Sequence, residues 1–212
     1  MSESFVQLFR LDDGDGDEEE AAREREPPRW SWFGPPEDEL GAVVPLQLVV
    51  GRSEKGVVAL RHATVYSTGV TFSFVALARG IGPRQSNRLI REQHAFDAEE
   101  PSEYVLRIGL ELPDGNRVSN LGVRRGPPGG WASLDEAPSG PVFFEHGGGG
   151  SSGGGGRVST SPSFWLWPLP ESGTIQVFCE WPIPEIPLAS VELDVAPLAA
   201  AKERVVSLWP GA

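Results

Sequence analysis

Three histidines, one cysteine, a run of carboxylates and a run of glycines are the parts of this 212-residue chain with chemistry beyond packing. The histidines, His62, His94 and His146, lie 32 and 52 residues apart. Metal centres draw on converging ligands, commonly at short spacing, and neither His-x-His nor His-Glu-x-x-His occurs. Asp97 follows His94 by three residues, a spacing that sets an imidazole near a carboxylate as in a general-base pair. Such a pair also arises by chance on an ordinary surface. Cys179 would be a nucleophile only as a thiolate beside a base. Ile175, Val177 and Trp181 share its alternation, which predicts a small core residue with a raised pKa. A single cysteine excludes a disulfide framework and a thiolate metal cage. There is no Gly-x-Ser-x-Gly elbow, and no motif for a cofactor or a metal.

Residues 12–26 hold nine acids (Asp12, Asp13, Asp15, Asp17, Glu18, Glu19, Glu20, Glu24, Glu26) and two bases, Arg23 and Arg25. An EF-hand begun at Asp13 would use Asp13, Asp15, Asp17 and Glu24. Its obligatory glycine is replaced by Glu18, its aliphatic position by Glu20, and no amphipathic helices flank it. A solvated, disordered acidic segment is expected instead. Gly147–Gly156 frees backbone amides of the kind that cradle phosphate. Arg157-Val158 stand where a P-loop requires Lys and then Ser or Thr, so a flexible spacer within the fold is expected. Arg84, Arg88 and Arg91, with Arg79, form a basic cluster; Arg124-Arg125 is another. The cluster suits an anion, or the acidic segment in cis through a weak, salt-sensitive contact, or simply a solvated face.

Seven tryptophans are the unusual feature of the composition. Trp165, Trp167 and Trp181 fall in predicted strands, where core packing is the expected role. Trp165 and Trp167 point the same way, opposite Phe164 and Leu166, so one of these faces is a candidate for ligand stacking, a carbohydrate among the options. Trp30-Ser31-Trp32-Phe33 lies outside the strand pattern, beside the acidic run. It reads either as a docking motif for another protein or as a strap folded back over the body.

These residues need elements to position them. From residue 42 short apolar runs alternate with polar positions and are punctuated by Gly, Pro, Asn or Asp. Runs at 44–50, 57–66, 70–77, 103–112, 117–123, 141–146, 158–167, 174–181 and 189–193 predict strands. Pro113-Asp114-Gly115-Asn116 predicts a hairpin turn. The fold class is all-β: an antiparallel β-sandwich, with a closed β-barrel as the alternative. Residues 84–97 read as a short helix or an irregular insertion. Leu198, Ala201, Val205 and Leu208 mark one stripe of a C-terminal helix over 195–208, with Asp194 as cap. Residues 5–9 read as an edge strand or a frayed end. Residues 1–39 are expected to be largely disordered and 40–212 to form one domain, with strands on both sides of the glycine tract pairing in it.

The net charge is -12, of which residues 12–26 carry -7. A phosphate backbone needs a basic face, so nucleic-acid binding is disfavoured. No apolar stretch is long enough to span a bilayer, and the N-terminus lacks a signal-peptide pattern. With a lone cysteine, a cytoplasmic protein is expected. The glycine tract, Phe164–Pro170 (FWLWPLP), Phe178–Pro182 (FCEWP) and Leu208–Pro210 (LWP) together resemble a group of bacterial proteins of no assigned activity, over residues 43–210. The resemblance implies a coherent fold and supplies no catalytic residues. The residues point first to a non-enzymatic interaction module binding another protein. The alternatives are a tryptophan-lined ligand site and an enzyme using His94, Asp97 or Cys179.

Overall fold

The computed structural model describes residues 30–92, 101–121, 138–147 and 150–209. The runs at 5–9 and 12–26, together with His94, Asp97, Arg124 and Arg125, lie outside the described residues. The chain runs β1 (Glu39–Leu40), β2 (Ala42–Arg52), β3 (Gly56–Val65), β4 (Val70–Arg79), α1 (Pro83–Glu92), β5 (Arg107–Glu111) and β6 (Arg117–Ser119). It continues as β7 (Val142–Glu145), β8 (Ser151–Gly154), β9 (Arg157–Thr160), β10 (Ser163–Trp167), β11 (Thr174–Trp181), β12 (Ile186–Asp194), α2 (Ala196–Ala201) and β13 (Val206–Ser207).

Alternation sets the layers. In β4, Val70, Phe72, Phe74, Ala76 and Ala78 are buried while the residues between them are not. In β11, Ile175, Val177, Cys179 and Trp181 are buried. Period two puts each set on one face of its sheet. The two faces meet in one buried cluster that also takes in Leu60, Phe143, Leu166 and Leu198. The larger sheet has the order β2-β3-β4-β10-β7, with the β8–β9 hairpin also on β4; the smaller has the order β12-β11-β5-β6. All pairings are antiparallel, and neither sheet closes into a barrel. The sheets approach closely at Gly51, where a Cβ would stand 2.6 Å from Cys179 Sγ.

One edge of β4 is shared. Val70–Ser73 pair with β10, and Ala76–Arg79 pair with β9. The run expected at 158–167 is therefore two strands, interrupted where the Pro162 carbonyl accepts the Phe74 N–H at 2.9 Å. Proline cannot donate to a ladder, which is why the strand breaks there.

The glycine tract departs from a plain spacer. Ser151–Gly154 is a strand paired with β9. Gly155 and Gly156, at φ 59° and 77°, form the two-residue connection. Two successive positive φ values define a type I′ hairpin turn, whose twist matches the flanking strands. Glycine has little intrinsic strand preference, but here α1 lies over the hairpin. A Cβ on Gly153 would stand 2.7 Å from Ile90 Cδ1, so a larger residue there would make the Ile90 side chain give way. Gly156→Ala is expected to lower stability by about 1–2 kcal/mol, the cost of a left-handed alanine, measured as a shifted urea midpoint with an unchanged slope.

The stretch read as a short helix or an insertion begins as a helix, and the C-terminal helix is shorter than its sequence stripe. α1 ends its described course at Glu92 and buries Ser86 and Leu89. α2 spans six residues and passes into a 3-10 turn at Lys202–Arg204. Leu198 and Ala201 are buried as the stripe requires, and Asp194 accepts the Ala196 N–H at 2.9 Å. Val205 is only half-buried and Leu208 is exposed. Ladder pairing takes over from the helix there: Val206 and Ser207 oppose Leu40 and Glu39, and Leu208 donates to the Asp38 carbonyl at 2.7 Å. At the front of the described chain Trp32 packs on the body, and the segment leads into β1, as the strap reading has it. Among the described residues no helix is long and apolar enough to cross a membrane.

Candidate functional site

The outer face of the larger sheet carries the candidate residues, and its two ends differ. At one end β10 places Phe164 and Leu166 in the sandwich core and Trp165 on the opposite face. Trp165 is nonetheless wholly buried, because Trp32 packs with it in a second apolar cluster on that face. Its indole Nε1 donates to the Trp32 carbonyl at 3.2 Å, and Tyr66 meets its ring edge-on at 5.9 Å. Trp32, Val142 and Phe144 complete this second apolar layer, with Phe33 and Trp167 half-buried against it. The strap reading of Trp30–Phe33 thus describes Trp32. Trp165 presents no face to a ligand.

Trp30 remains 40 % exposed and, with Phe33, lines a cleft of about 530 Å³. Tyr66, Thr71, Ser163, His146 and Glu37 supply its polar wall. Thr71 Oγ1 is buried with no hydrogen-bond partner among the described residues. Trp167, at the margin of that layer, also lines a separate cleft of about 530 Å³ beside the Pro113 turn and Pro168.

A polar row crosses the middle of this face. His62 opposes Ser73, Ser73 opposes Ser163, and the two serine hydroxyls lie 3.2 Å apart. Burial, and then the charge of Arg61, holds the His62 imidazole below its ordinary pKa.

At the far end the register assembles a basic groove of about 680 Å³. Arg52 opposes Val57, Val57 opposes Leu77, Leu77 opposes Ser159, and Ser159 opposes Ser152. One rung on, Arg79 and Arg157 are direct cross-strand partners. Like charges placed opposite each other on one face destabilise a ladder. Arg79 Nε donates to the Glu54 carbonyl at 3.0 Å, and Lys55 pairs with Glu185. Arg52 and Arg157 make no side-chain hydrogen bond or ion pair among the described residues. The floor is apolar, with Leu77 44 % exposed beside Val57, and Glu54 is the one acid among the lining residues.

Of the cluster picked out by spacing, Arg79 lies in this groove, while Arg84, Arg88 and Arg91 sit on α1. Arg88 pairs with Glu92 at 2.7 Å and lies 4.1 Å over the Tyr104 ring, so it is engaged internally. The Arg88 hydrogen bond, then that of Ser102, holds the Glu92 carboxyl below its usual range. Arg84 and Arg91 are exposed. The groove was hidden because Arg52 and Arg157 stand far apart in the chain. One signal did exist: Arg52, Arg79 and Arg157 each border a turn, at Ser53, Gly80 and Gly156, so all three come to one end of the sheet.

Of the candidate catalytic residues, Cys179 is in the core, and burial pushes its thiol up to about 11. At pH 8 about one thiol in a thousand would be ionised. Iodoacetamide is therefore expected to leave Cys179 unmodified in the folded chain and to label it fully in urea, read by mass spectrometry. The sign for stability follows. The unfolded thiol ionises at lower pH than the folded one, so stability falls as pH rises above the ordinary cysteine value. Among the described residues, no group of three or more His, Cys, Asp or Glu side chains is placed to hold a metal ion. No family model, curated protein or solved structure matches the chain.

Proposed function

We propose that this chain is a non-enzymatic interaction module whose outer-face groove takes an extended acidic segment of another protein. The observation that carries this reading is the opposed Arg79–Arg157 pair, with Arg52 one rung away, over an apolar floor. A carboxylate between the two guanidiniums would relieve their repulsion and accept paired hydrogen bonds. The exposed Leu77 and half-buried Val57 favour a peptide, whose apolar side chains fill the floor between carboxylates. A nucleic acid would meet a body that is itself net negative.

The test uses the full chain with the nine acids of residues 12–26 changed to Asn or Gln, so that they do not compete. A fluorescein-labelled peptide of alternating Glu and Leu is titrated and its anisotropy followed. Binding is expected at low salt, weakened in 0.5 M NaCl by screening, and lowered at least tenfold by Arg52→Glu with Arg157→Glu. Binding that ignores both reversals would refute the groove.

A second reading has its own observation. Exposed Trp30, half-buried Phe33 and the unpartnered Thr71 hydroxyl suit a small polyhydroxylated ligand such as a sugar. Quenching of tryptophan fluorescence across a glycan panel, lost on Trp30→Ala, is the expected result; a flat response to every glycan would end this reading.

A further inference from the structure

We propose that the first occupant of the basic groove is the chain's own acidic segment, Asp12–Glu26, which masks it from acidic partners in trans. This rests on the groove reading above and adds its regulation.

Charge complementarity is the first argument. The segment carries -7, while the groove gathers Arg52, Arg79, Arg157 and Lys55, four of the 18 bases in the chain. Arg52 and Arg157 have no partner among the described residues, and Arg79 gives its Nε only to a carbonyl. The α1 cluster offers fewer free charges, Arg84 and Arg91 alone, because Arg88 is already engaged by Glu92 and Tyr104.

Position is the second. The described chain begins at Trp30, whose cleft shares the outer face of β4 with the groove. Thr71 marks one site and Leu77 the other, six residues along the same strand, about 20 Å at ~3.3 Å per residue. Trp30 lies thirteen positions after Asp17, a span of up to about 45 Å when extended. The middle of the acidic run therefore reaches the groove with slack. The path crosses the polar row of His62, Ser73 and Ser163, and only Glu54 among the groove's lining residues opposes a carboxylate.

Tethering is the third. A linker of this length holds its segment at an effective concentration of order millimolar. A contact too weak to be seen between separate molecules is then largely formed within one. The same weakness makes it displaceable by a partner with better apolar side chains for Leu77 and Val57, or by salt.

Two measurements test this. In the first, wild-type chain is expected to bind the Glu–Leu peptide at least tenfold more weakly than the nine-amide variant, the difference vanishing in 0.5 M NaCl. Equal affinity would overturn the cis contact and leave the groove open to other proteins. No binding by the nine-amide variant would overturn the groove reading, and this inference with it. In the second, wild-type full chain at low salt is treated with a water-soluble carbodiimide, which condenses a carboxylate with a lysine amine into an amide and releases the urea. The chain has two lysines, Lys55 in the groove and Lys202 after α2, so the products are readable by mass spectrometry. The Lys55–Glu185 link serves as an internal control. Links from residues 12–26 to Lys55 are expected, independent of protein dilution and absent in the Arg52→Glu, Arg157→Glu chain. Links to Lys202 as frequent as those to Lys55, or links found only between two copies, would overturn the proposal.

Discussion

Trp165→Ala is expected to lower the free energy of unfolding by about 3–5 kcal/mol, the range for truncating a buried aromatic. The side chain is wholly buried, although it faces away from the sandwich core. Its shape is matched locally. A Cβ on Gly69 would stand 2.6 Å from Trp165 Cζ2, so the β3–β4 connection lies close against the ring. Its removal would strip the strap of its largest contact and orphan the Trp32 carbonyl. Two consequences separate this from loss of a generic core residue. The cleft lined by Trp30 and Phe33 should be lost along with the strap, while the groove at the far end of β4 keeps its peptide affinity. Urea denaturation followed by circular dichroism reads the stability, with Trp30→Ala, 40 % exposed, as the control expected to cost far less. A loss under 1 kcal/mol for Trp165→Ala would mean that the strap contributes nothing to holding the ring.

The second large effect belongs to Asn120. It is 2 % exposed and follows β6, at the edge of the smaller sheet. Its backbone N–H donates to the Ile108 carbonyl at 3.0 Å. Its side chain then does the work of a further ladder rung. Oδ1 accepts the Ile108 N–H at 2.8 Å, and Nδ2 donates to the Leu106 carbonyl at 2.8 Å. Asn120→Leu removes both partners and leaves two buried backbone groups unpaired. At about 1–3 kcal/mol each, the loss is expected at about 2–6 kcal/mol, less whatever the leucine regains by burial. Amide hydrogen exchange gives the sharper readout, with Ile108 N–H losing protection while Val177 N–H in β11 keeps it until global unfolding. Unchanged exchange at Ile108 would show that another group satisfies it.

Legibility followed the range of the interactions. The alternation of β4 and β11 was plain in the sequence because burial on one face imposes period two locally. The Pro113–Asn116 turn was legible for the same reason, with Gly115 at φ 85° as the turn chemistry requires. The end of the C-terminal stripe was misread because Val206 and Ser207 are claimed by Leu40 and Glu39, a pairing that no helical periodicity can announce. Trp32 and Trp165 were legible as large apolar groups needing cover; that each supplies the other's cover required the coordinates. The groove was least legible. Its arginines share only a place beside a turn, and which of them meet is set by the registers of β2, β3, β4 and β9.

The divided edge of β4 has a consequence for biosynthesis. Phe72 waits for Phe164, made 92 residues later, before its ladder is complete. Until then a nascent chain emerging from the ribosome carries an open strand edge above an uncovered apolar face, the template on which two polypeptides most readily pair. Slow translation or crowded polysomes lengthen that exposure, so they should favour mispairing between nascent chains.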